Sequence, residues 1–120
     1  MNLGSTGKKG EDMVARFLRN QGCVIEKRNF SCRFGEVDII ASKGDLLLFV
    51  EVKTRKENSL ISGAEAVDPR KINRILLTAQ DYMMKRINEG KPQPRFDVAV
   101  VTFTEDNPPK FKLKYIKNAF

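Results

Sequence analysis

The spacing of apolar positions along this chain changes several times, and each change predicts an element. Val14, Phe17 and Leu18 fall on one helical face. They predict a helix capped by Ser5 or Thr6 and running to about Gln21, with Gly22 as its stop. A strand is expected near 23–29. Two more follow over Glu36–Ser42 and Leu46–Arg55, joined by a turn at Lys43-Gly44-Asp45. Residues 56–67 mix Asn, Ser, Gly and charge, which predicts a mobile loop. Asp68-Pro69 then pairs an N-cap residue with proline at the first helical position. The stripe Ile72, Ile75, Leu76, Ala79, Met83 and Ile87 extends that second helix toward Gly90. Phe96–Phe103 is apolar enough for a strand covered on both faces. After the break at Pro108-Pro109, residues 111–117 alternate apolar side chains with lysine. Lysines placed this way discourage edge-to-edge pairing, and they can also touch phosphate. The order α, three strands, α, two strands predicts an α/β fold, a sheet with helices on its faces. The 120 residues make a single domain, 1–120.

The two central strands carry charges where apolar side chains are expected. Alternation puts Glu36 and Asp38 on one face of the first, and Glu51 and Lys53 on one face of the second. With the turn centred on Gly44-Asp45, Asp38 lies opposite Glu51 and Glu36 opposite Lys53. Directly opposed carboxylates repel, and partial burial makes each harder to ionise. A divalent cation between them removes both penalties. Magnesium suits the pair, since it takes hard oxygen ligands and often only one or two carboxylates. Lys53 can orient a water or offset charge developing on a phosphate. Together these parts suit metal-assisted phosphodiester hydrolysis. The plainer reading is a solvent-facing hairpin with surface salt bridges, Glu36–Lys53 among them. Glu11 sits in the first helix, three residues before Val14, and points toward the apolar side. It either complements the helix dipole or reaches the hairpin.

Composition narrows the chemistry. The formal net charge is +7 and the sequence pI is about 9.6, a balance that favours polyanionic partners, nucleic acid first. The chain contains no histidine and two cysteines, Cys23 and Cys32, which argues against zinc and against His-dependent triads. The cysteine usage and the polar N-terminal residues lead to a cytoplasmic expectation, with no signal peptide. The longest apolar run, Leu46–Val50, is far too short for a membrane span.

GEVDII, LFVEVKTR and PRFDVAVV, with KKGEDMVARFLRNQGCVIEKRNF upstream, resemble the YraN family of small bacterial proteins. That family is similar to archaeal Holliday-junction resolvases of the PD-(D/E)XK nuclease superfamily. The resemblance spans roughly Lys8–Phe103 and implies a restriction-endonuclease-like αβββαβ core with a mixed central sheet. It implies Mg²⁺, with Mn²⁺ as substitute, and hydrolysis of DNA, branched forms included. Asp38, Glu51 and Glu11 match the metal ligands, Lys53 the catalytic lysine, and Glu36 a supporting carboxylate. Val37 stands where the superfamily's name has proline. Lys71 fits a lysine early in the second helix, and around the site Arg55, Lys56, Arg70 and Arg74 add basic surface for the DNA backbone. A homodimer is what the resemblance implies for symmetric junctions. The alternatives are a non-catalytic nucleic-acid-binding module, or a partner protein that keeps the nuclease fold.

Overall fold

A computed structural model of the chain describes residues 3–58, 68–86 and 90–120, with side chains from residue 6 onward. Helix α1 (Leu3–Asn20) leads into strands β1 (Val24–Cys32), β2 (Gly35–Lys43) and β3 (Leu46–Lys56). Helix α2 (Pro69–Lys85) crosses to β4 (Gln93–Phe103), and β5 (Phe111–Ile116) follows. The five strands form one sheet in the order β1-β2-β3-β4-β5. Neighbours are antiparallel except β3 and β4, which run parallel because α2 carries the chain back between them. The mixed α/β architecture expected from the sequence is the one observed, and it is compatible with a restriction-endonuclease-like core.

One helix covers each face. Val14, Ala15 and Leu18 of α1 pack on Ile39, Ala41, Leu48, Val50, Ala99 and Val101. Ile75 and Ala79 of α2 pack on Val37, Ile40, Leu47 and Phe49. Strands β3 and β4 supply both clusters, so their near-continuous apolar runs are explained by burial from two sides.

Most corrections to the expected elements concern their ends. Helix α1 starts at Leu3, so Thr6 is an interior helical residue, buried at 2% exposure, rather than a cap. Its C-terminus is as expected: Gly22 is left-handed (φ 89°), and Cys23 N–H donates to the Leu18 carbonyl at 3.0 Å. Strand β1 runs on to Cys32, and β3 includes Lys56, which was assigned to the loop. Residues 59–67 of that loop lie outside the described residues, as does Ile87. Asp68 caps α2, accepting from Arg70 N–H at 2.9 Å. The helix ends at Lys85, short of Gly90, because Arg86 turns extended and its guanidinium bonds both oxygens of Glu26 at 3.0 and 2.8 Å. Strand β4 begins early, at Gln93, because the parallel ladder with β3 is in register from Leu46↔Gln93 onward.

The C-terminal segment is tied down by Asp97, which is fully buried in β4. Its carboxylate takes hydrogen bonds from Arg95, from the Tyr115 hydroxyl at 2.6 Å and from Asn118 N–H at 2.9 Å. Burial, and then the bond to Asp97, push the Tyr115 hydroxyl strongly up in pKa. Ala119 N–H donates to the Phe96 carbonyl, and the Phe120 ring stacks on Phe96.

Candidate functional site

The β2–β3 hairpin has the register expected from its turn, running from Lys43↔Leu46 to Ile39↔Val50. There the paired ladder ends. Asp38 takes over with its side chain: Oδ2 accepts the Val52 N–H at 2.7 Å. A carboxylate thus fills the place of a main-chain carbonyl where the two strands part.

The other neighbour of β2 is also irregular at this point. The β1–β2 pairs Arg28↔Ile39 and Phe30↔Val37 flank Asn29 and Asp38, and Asn29 is left-handed (φ 54°). Asparagine tolerates that conformation better than most residues. Across Asp38 the alternation of faces breaks, because Ile39 packs on the α1 side and Val37 on the α2 side. The simple alternation expected for β2 therefore does not hold through Asp38. As a result its carboxylate lines two hollows at once. One, of about 680 Å³, also holds Glu36, Glu51, Lys71 and Arg74. The other, of about 380 Å³, holds Glu11, Thr6, Val52 and Thr54.

The Asp38 pKa is raised to about 6, by burial first, against the Val52 hydrogen bond that lowers it, and with the charges of Glu51, Glu11 and Glu36 adding to the rise. The other three acids singled out in the sequence are therefore within electrostatic reach of Asp38. Lys53 is half-buried, and its pKa is lowered by burial first and then by the charges of Lys71 and Arg55, against the pull of Glu51.

Two of the acids face cations of the protein itself. Glu51 forms an ion pair with Lys71 of α2. Glu11 accepts from Arg28 Nε at 2.9 Å and from Asn29 Nδ2 at 3.2 Å, while Asp12 takes the other arm of Arg28 at 2.7 Å. Among the described residues, no three acidic or sulfur side chains are gathered in metal-binding geometry. Asp38 and Glu51 on one cavity wall nonetheless fit the hard-oxygen donor set of a magnesium ion that keeps most of its waters.

The basic residues divide. Lys71 and Arg74 line the larger cavity. Arg55 is half-buried on β3, and Arg70 is exposed in the first turn of α2. Lys56 pairs with Glu105 at the far end of β3, away from the acids. Reading the sequence alone missed Arg28, Asn29, the Val52 amide and the aromatic wall of the cavity, Phe49 and Phe120. Asn29 leaves a faint signal as an asparagine inside a strand. The others depend on contacts distant in sequence.

The fold and site define a class: a two-layer-covered mixed sheet with a carboxylate-rich notch where its central hairpin opens. The family is defined more sharply. Residues 10–101 match the model of "Uncharacterised protein family UPF0102", and the chain belongs to that family, which is the YraN family. A UPF0102 protein of Clostridium botulinum (strain Loch Maree / Type A3) is 43% identical over 114 residues, which cover 95% of this chain and 92% of that protein. UPF0102 proteins of Persephonella marina and Pelotomaculum thermopropionicum are 40% and 39% identical over the same length.

Proposed function

We propose that this chain is a metal-dependent endonuclease that hydrolyses DNA phosphodiester bonds on the plan of the PD-(D/E)XK nucleases. The observation that carries the reading is Asp38. It is a half-buried carboxylate fixed by the Val52 amide, lining two cavities and surrounded by the charges of three more acids. A protein with no use for a cation there would relieve that repulsion more simply with one neutral residue.

Asp38 and Glu51 would hold the ion, with Glu11 available from the α1 side once it leaves Arg28. A bound metal would supply a water of lowered pKa and a Lewis acid for the phosphoryl oxygen. Lys53, beside Glu51, would orient the attacking water and balance charge on the phosphate, and its lowered pKa would ease proton exchange at Nζ. Glu36, exposed at the rim of the larger cavity, supports the site electrostatically. Lys71 and Arg74 bind backbone phosphate, and Lys71 trades Glu51 for that phosphate when DNA arrives. Arg55 and Arg70 extend the basic surface, whereas Lys56 is placed to contact only DNA that reaches the far end of β3. A twofold dimer would suit symmetric branched substrates.

A second reading, a non-catalytic DNA-binding module, is favoured by the Glu51–Lys71 and Glu11–Arg28 pairs, which neutralise two acids without a metal. One experiment separates the two. Labelled linear, flap and four-way-junction DNA is incubated with purified protein in magnesium, manganese or EDTA, beside Glu51→Gln and Lys53→Ala. The expected result is metal-dependent cleavage that Glu51→Gln reduces to the EDTA level and Lys53→Ala slows by on the order of a hundredfold or more. Salt-sensitive binding with no cleavage under any condition would sink the enzyme and leave the module.

A further inference from the structure

The larger cavity has more depth and more apolar wall than a passing phosphodiester needs. Its volume of about 680 Å³ lies in the range of pockets that enclose whole small molecules. Phosphate-binding groups, Lys71 and Arg74, line it together with Phe49, Ile75, Val37 and Phe120. The aromatic side of this wall is ordered. Phe49 and Phe96 stack with centroids 5.5 Å apart at 22°, and Phe96 and Phe120 stack at 5.6 Å and 24°. Phe120 ends this column. It is only half-buried, and it borders the cavity. Phe120 therefore offers an aromatic surface to the cavity, against which one more flat ring can lie.

We propose that the cavity receives a single unpaired nucleotide of a DNA substrate, its base against Phe120 and its phosphate toward Lys71 and Arg74. The proposal rests on the reading of the site as a DNA site and narrows the substrate class. A paired base is stacked on both faces within its duplex and cannot enter. A base at a flap, a gap, a fray or an extrahelical position can, and stacking on an aromatic ring is indifferent to which base it is. The wanted feature would thus be a structural irregularity in the DNA rather than a sequence.

The test is binding in EDTA, so that no step depends on cleavage. The probes are a fluorescent fully paired duplex, the same duplex with one extrahelical adenosine, and the same duplex with an extrahelical abasic sugar. Wild type should bind the extrahelical adenosine tighter than either control by on the order of tenfold. Phe120→Leu should lose that preference and Phe120→Trp should keep it, with thermal unfolding of each variant confirming the fold. Equal affinity for all three probes would overturn the inference while leaving metal-dependent cleavage untouched. A preference that survives Phe120→Leu would also overturn it. No binding to any probe would remove this inference together with the DNA reading beneath it.

Discussion

Asp38 is held in its ionised form at a cost. Its carboxyl titrates at about 6 in the folded chain against an ordinary 3.8, so the folded state binds the proton more tightly. Stability from this group is complete below the ordinary pKa and is lost as pH rises through about 6. One pKa unit corresponds to about 1.4 kcal/mol, and residual solvent contact reduces the effect, so the ionised carboxylate costs about 1–2 kcal/mol at neutral pH. Asp38→Asn keeps an oxygen for the Val52 amide and drops the charge. Urea unfolding at pH 7 should find this variant more stable than wild type by that amount, with the difference gone at acidic pH. Magnesium should raise the melting temperature of wild type and not of the variant. The unusual setting of Asp38 was legible in the sequence as a charge beside another charge in an apolar hairpin. Its partner amide and the left-handed Asn29 were not, because the first arises where β2 parts from β3 and the second is a local backbone irregularity of β1 beside it.

At the scale of elements, what positions the site is how closely α1 approaches β3. A Cβ at Gly10 would lie 2.3 Å from Thr54 Oγ1 and 3.4 Å from Thr54 Cβ, so only glycine allows the helix this close. Glu11, the next residue, reaches its hollow beside Asp38 through that approach. Gly10→Ala should destabilise by about 1–3 kcal/mol from overpacking, less up to about 1 kcal/mol returned by helix propensity. In a Thr54→Ala background the penalty should largely vanish, and a double-mutant cycle on unfolding free energies reads that coupling directly. The kinds of element were legible from periodicity and from the Asp68-Pro69 signal. Their ends were not, because distant partners set them: Glu26 draws Arg86 out of α2, and the parallel ladder recruits Gln93 and Pro94 into β4. Gly10 gave no helical signal beyond a weak propensity, since its reason lies across the core.

For the whole molecule, the net charge is +7, and Lys71 and Arg74 share the wall of the larger cavity with Glu36, Asp38, Glu51 and Asp68. Lys53, Arg55, Lys71 and Arg74 are the four candidates for phosphate, Lys53 lying within electrostatic reach of Lys71 and Arg55. Four contacts give a log–log salt slope of about −3.6, so DNA affinity should fall on the order of a hundredfold between about 50 and about 200 mM salt. Replacing Lys71 and Arg74 together with alanine should flatten the slope by about 2, measured by fluorescence anisotropy. Charge sign was legible from composition alone, whereas its arrangement needed the sheet order, which sets β3 between β2 and the parallel β4.

The bond from Val52 to Asp38 has one more consequence. An amide proton donated to a carboxylate is strongly deshielded, and it moves when that carboxylate gains a proton or shares its oxygens with a cation. A single backbone resonance, that of Val52, is therefore an internal gauge of the site. Followed through a pH or magnesium titration of isotope-labelled protein, it reports the state of Asp38 without any substrate, any label in the cavity or any substitution that would disturb what is being read.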